Sequence, residues 1–142
     1  MKKQALSLIG VLSLLLAAGS AMAQNGGLRA DVPFNFTVSG TTMPAGTYTV
    51  SRIGRSIDTL VIRGGDSKAV KFVMPHRVES TKGADRTKLI FHCYSGRDQC
   101  FLYQLWIGGA HAGQELPKSS LEKEVAAARL RSEDVPVIAS SR

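Results

Sequence analysis

Cysteine and tryptophan are scarce in this chain, which has two of the first and one of the second, and aromatic side chains make up only 6% of it. Two cysteines exclude a disulfide-dense scaffold and a four-cysteine zinc site. Six residues separate Cys93 from Cys100, a spacing that is not the C-x-x-C of a redox centre. The three histidines, His76, His92 and His111, are scattered, and none pairs at helical spacing with a second ligand, so no metal site is expected. There is no G-x-S-x-G elbow and no S-x-x-K, and Asp66, Asp85 and Asp98 fall in turn-like segments without a partner carboxylate nearby. No catalytic residue and no cofactor is therefore expected. Residues 108–113 have the glycine spacing of a P-loop, but Gln114-Glu115 follow where Lys-Ser/Thr would have to stand. That segment reads as a mobile connector.

Charge of one sign is not concentrated anywhere either. The formal net charge is +7, yet the basic residues are dispersed and the C-terminal charges are mixed. A solvated surface with loose attraction to polyanions is the expectation, and no nucleic-acid interface is expected. Past the N-terminus no apolar run approaches the roughly 18 residues of a membrane helix, so no later transmembrane span is expected. Solenoid repeats and low-complexity tracts are missing as well.

What is present begins with a targeting segment. Met1-Lys2-Lys3 is a positive n-region, residues 5–18 form a short apolar core, and Ala21-Met22-Ala23 is a small-x-small cleavage pattern. Residues 1–23 thus read as a signal peptide cut between Ala23 and Gln24. Residues 24–31 read as a flexible lead, 32–139 as the folded domain and 140–142 as a tail. An exported chain with two cysteines is expected to pair them.

The organising stretch is residues 87–107, TKLIFHCYSGRDQCFLYQLWI. The turn cluster Ser95-Gly96-Arg97-Asp98 divides it into a β-hairpin. With those four residues as the loop, Cys93 faces Cys100, Phe91 faces Leu102, Leu89 faces Gln104 and Thr87 faces Trp106. The cysteines then occupy a close cross-strand pair, with Cα atoms roughly 4.5 Å apart, near enough for a disulfide. One face carries Leu89, Phe91, Leu102, the cysteines and Trp106. The other carries Ile90, Phe101, Tyr103, Leu105 and Ile107 with Arg86, Lys88 and His92. A hairpin apolar on both sides needs cover on both.

Upstream, Val32, Phe34, Phe36 and Val38 alternate with polar residues in a one-sided strand that Pro33 places at a start or an edge. Further strands are expected over 47–53, 57–63 and 68–74, with turns at Gly54-Arg55-Ser56 and Gly64-Gly65-Asp66-Ser67. In the last of these strands Val70, Phe72 and Met74 are expected to face inward. Downstream, Ser119-Ser120-Leu121-Glu122 fits a capping box, with Leu121, Val125 and Ala128 on one face of a helix ending near Arg131. Residues 135–139 read as an edge strand or a trailing end. The fold expected is all-β, a single antiparallel sandwich or small barrel of about six or seven strands with one C-terminal helix near 120–131.

Val32-Pro33-Phe34-x-Phe36-x-Val38-x-Gly40, continuing to Pro44-Ala45-Gly46-x-Tyr48, resembles the N-terminal signature of a group of short exported bacterial proteins of unassigned function. Leu89-x-Phe91-x-x-Tyr94, Phe101-Leu102, Trp106 and Leu116-Pro117-Lys118-Ser119-x-x-Glu122 are similar to that group too. The resemblance implies export and brings no catalytic residues with it; the cysteine pair is not part of its pattern.

The functional expectation is a non-catalytic binding or scaffolding module of the cell envelope, periplasmic or extracellular, with a partner in that compartment. Two other readings stand beside it. One is a carrier holding a small apolar ligand in a closed barrel lined by Phe34, Phe36, Tyr48, Phe72 and Phe91. The other is an envelope hydrolase whose groups come together only in space.

Overall fold

The computed structural model describes residues 27–53, 59–66, 68–128 and 131–141. The signal segment, the Ala23/Gln24 junction and the expected turn at Gly54-Arg55-Ser56 lie outside these residues.

The described chain is mostly strand. In order it forms β1 (Leu28–Val32), β2 (Phe36–Val38), β3 (Thr41–Met43), β4 (Gly46–Ile53), β5 (Thr59–Gly64), β6 (Val70–Val73) and β7 (His76–Glu79). Then come β8 (Lys88–Tyr94), β9 (Gln99–Trp106), β10 (Ala112–Glu115), helix α1 (Ser120–Ala127) and β11 (Ser132–Ser141). These eleven strands replace the six or seven expected from spacing. The surplus arises because proline and glycine cut long apolar stretches into pieces that pair with different neighbours.

The strands build one sheet in the order β3-β2-β9-β8-β11-β1-β4-β5-β6, with β10 on the free half of β9 and β7 beyond it. Pairing is antiparallel throughout except where Thr37 of β2 meets Phe101 of β9. The sheet curls until its ends approach, and Lys71 Nζ on β6 donates to Thr41 Oγ1 on β3 at 3.0 Å. The result is a nearly closed barrel.

Alternation explains the inside. Val32, Phe34, Phe36 and Val38 are all buried, although Pro33 ends β1 and forces β2 onto a different partner. Phe91 takes the centre, with Phe34 at 5.1 Å and Phe36 at 5.2 Å, both edge to face. Phe36 meets Tyr48 at 4.9 Å in the same manner. Each such ring contributes about 2–3 kcal/mol by burial, and the edge-to-face geometry adds to that. At the turn, Ser95 and Gly96 adopt φ of 52° and 74°, the left-handed region that glycine enters without steric cost. Arg97 lies 5.8 Å above the Phe34 ring.

Several expectations are corrected. β1 begins at Leu28, inside the supposed lead, and β11 runs to Ser141, inside the supposed tail. Residues 132–141 are no trailing end: β11 pairs with β8 over 132–138 and with β1 over 139–141, joining the two halves of the sheet. Pro136 sits in the stretch paired with β8 alone, where a residue lacking an N–H is tolerated. On β6 the face is the reverse of that expected: Val73 is buried, whereas Phe72 is 58% and Met74 71% exposed. Lys71 shares the Val73 side and serves the seam with β3. The helix ends at Ala127 and buries Glu122 and Val125, leaving Leu121 outside. The connector after the hairpin is no loop over 112–115 but strand β10, hydrogen-bonded to both β7 and β9. No helix among the described residues is long and apolar enough to cross a membrane.

Candidate binding site on the outer face of the hairpin

The loop end of the hairpin has the expected register. Tyr94 faces Gln99, Cys93 faces Cys100, and Phe91 faces Leu102. Cys93 and Cys100 form a disulfide with Cα atoms 4.0 Å apart, and both are buried. A bonded pair fits an oxidising compartment.

Beyond Phe91 the register slips. Ile90 faces Gln104, Leu89 faces Leu105 and Lys88 faces Trp106, so the expected Leu89–Gln104 and Thr87–Trp106 pairs do not form. One extra residue in β9 makes a β-bulge, and everything past it changes face. Leu105 turns into the core, while Trp106 turns outward with Tyr103 and Gln104. The reason is burial: Leu102 and Leu105 both join the central cluster, which a strict two-residue period would forbid.

The outward indole is locked in place. Gly113 of β10 lies so close to one ring face that a Cβ there would come within 2.7–2.8 Å of three ring atoms. Only glycine fits that approach. Trp106 Nε1 donates to Gln104 Oε1 at 2.9 Å, and Gln104 Nε2 donates to Glu115 Oε2 at 2.7 Å. The ring is therefore held by a strand backbone on one side and a two-step hydrogen-bond chain at its edge.

A pocket of about 450 Å³, open to solvent, lies beside it, lined by Trp106, Ile90, Gln104, Lys88 and the 80–85 segment. That segment is pinned to the residues before β10. Ser80 N donates to His111 O at 2.8 Å, Ala84 N to Ala110 O at 2.9 Å, and Gly109 N to Ala84 O at 2.7 Å. Lys88 Nζ meets Asp85 Oδ1 at 2.9 Å. The lysine's hydrogen bond and charge hold the Asp85 carboxyl below its ordinary range. Lys82 projects exposed at the rim.

Toward the turn, the same outer face carries a polar clasp. His92 Nδ1 lies 3.0 Å from Glu122 Oε1 of α1, and its Nε2 lies 3.4 Å from Asp134 Oδ1 of β11. Tyr94 Oη donates to the same Glu122 oxygen at 3.2 Å, and the Tyr103 ring stacks on His92 at 3.7 Å. Burial, then the Glu122 carboxylate, pushes the Tyr94 phenol above its usual pKa. Burial and then Glu115 do the same to Tyr103. Val125 packs on Tyr94 and Phe101 behind the clasp, which gives the outer face the cover it needs.

Of the residues singled out from sequence, the structure joins Cys93 to Cys100 and brings Phe34, Phe36, Tyr48 and Phe91 into contact with one another. Phe72 stands apart on the outside. His76, His92 and His111 do not converge, and no metal-binding group of three or more His, Cys, Asp or Glu side chains occurs among the described residues. Sequence reasoning missed Gln104, Glu115, Gly113, Lys82 and Glu122. Glu122 was legible only as a capping residue. Its amide does make the capping bond, donating to Ser119 Oγ at 3.2 Å, but its carboxylate oxygen Oε1 turns onto the hairpin. A three-residue interval between inward leucines was the available sign of the bulge.

No protein-family model matches the chain, and no curated protein or solved structure matches it.

Proposed function

We propose that the protein is a non-catalytic binding module of the cell envelope, exported after cleavage behind Ala23 and acting in the periplasm or outside the cell. The observation that carries this reading is the pocket at the bulged end of the hairpin. It is bordered by a hydrogen-bonded loop on one side and a fixed indole on the other, so little ordering is required when a ligand arrives. The clasp at the other end speaks against hydrolysis as its purpose. Both ring nitrogens of His92 are engaged by carboxylates and one ring face is stacked, which leaves no free lone pair aimed at a substrate. The carrier reading is weakened because Phe34, Phe36, Tyr48 and Phe91 fill the barrel with one another and Phe72 lies outside it.

The test uses the processed chain and isolated envelopes. Saturable co-sedimentation, lost on Lys82→Glu while envelope polymers keep their size distribution, supports the proposal. Retention indifferent to Lys82→Glu removes the pocket from it. Product release abolished by a single substitution replaces it with an enzyme.

A further inference from the structure

We infer that the pocket receives a carboxylate-bearing sugar unit within an acidic polysaccharide; this rests on the binding-module reading and names its ligand class. The first ground is the border. Ile90 and the accessible strip of Trp106 are apolar, which suits the C–H groups of a sugar ring. Trp106 is only 9% exposed, with Gly113 over one face, so it cannot offer the broad platform that a stacked base requires.

The second ground is hydrogen bonding. With its amide hydrogens directed to Glu115 and the Tyr103 phenol, the Gln104 side chain keeps one acceptor lone pair on the oxygen that takes the Trp106 N–H, and Ser80 also lines the pocket. These are partners for ring hydroxyls rather than for a smooth hydrocarbon.

Charge is the third. Lys82 and Lys88 face one carboxylate, Asp85, so the lining carries one net positive charge. Asp85 is engaged by Lys88, while among the described residues no carboxylate lies within ion-pair reach of Lys82. A single carboxylate matches that balance better than a doubly charged phosphate. No arginine fork lines the pocket. The opening to solvent lets a polymer enter and leave on either side of the bound unit, and the net charge of +5 that remains after Lys2 and Lys3 leave with the signal peptide favours approach by a polyanion.

Because Trp106 is the only tryptophan, fluorescence excited selectively in tryptophan, at wavelengths the three tyrosines do not absorb, reports this pocket. The processed chain is titrated at low salt with three probes: a hexuronate hexamer, a neutral hexose hexamer and a single-stranded DNA hexamer. The expected result is a saturable change with the uronate alone. Its Kd should rise about tenfold in Lys82→Gln and in Lys88→Gln, as expected for loss of one charge-assisted hydrogen bond, and stay unchanged in Lys123→Gln on the helix. Near-UV circular dichroism of each variant establishes that the fold is kept. Equal response to the neutral hexamer, tighter response to DNA, or no response to the uronate overturns the inference. Neutral binding that still depends on Lys82 would leave the module standing and remove only the acidic sugar, and the envelope assay fails or succeeds separately.

Discussion

The two ends of the β8–β9 hairpin obey different rules. At the turn end, pairing follows the loop, a disulfide joins the strands, and inward and outward residues alternate strictly. At the far end one extra residue breaks the alternation, sends Leu105 in and Trp106 out, and puts the indole at the border of the pocket of about 450 Å³. Local chain chemistry suffices for the first. The second exists because β10 and the 80–85 segment are there to receive it.

Inserting one residue between Ile90 and Phe91, where it would pair with the surplus Tyr103, should break this comparison most severely. A restored two-residue period would drive Trp106 toward the core and Leu105 out, so cooperative unfolding should be lost, as read by near-UV circular dichroism against urea. Replacing both Cys93 and Cys100 by serine acts on the other end. It should lower stability by about 2–3 kcal/mol through the freed loop, seen as a lower urea midpoint, while the Trp106 emission maximum stays in place. Gly113→Ala should reverse that pattern. The new Cβ meets the indole, costing about 1–3 kcal/mol, and emission shifts to the red as the ring is displaced.

The smallest effect joins the two ends through pH. Tyr94 and Tyr103 have raised pKa values in the folded protein, so the native state holds their protons when the unfolded chain has lost them. Their contribution is complete below the ordinary value of about 10 and falls as pH climbs above it. Urea melts at pH 9 and pH 11 should show that decline. Glu122→Gln, which removes the neighbouring charge from Tyr94, should flatten it.

These contrasts also mark how far sequence carries. Phe91, Leu102 and the cysteine pair were legible because alternation and a four-residue turn determine them within a dozen residues. The inward face of Val32, Phe34, Phe36 and Val38 was legible for the same reason. Phe72 was misplaced because β6 is a terminal strand whose inner side includes Lys71, required at the seam with Thr41; alternation alone does not say which set faces in. Glu122 was half legible. A capping motif explains its amide and is silent about a carboxylate received by strands 28 and 30 positions earlier. Gln104 and Glu115 have meaning only as a pair across β9 and β10.

Strand β11 has a consequence for how the molecule comes together in time. It is the last strand among the described residues, yet it lies between one of the earliest, β1, and β8, so neither can complete its ladder until β11 has emerged. Pairings that span nearly the whole sequence carry a large loop-closure cost and slow folding. During vectorial synthesis the first half waits with an open margin, and a truncation before Ser132 would leave that margin permanently exposed to other chains.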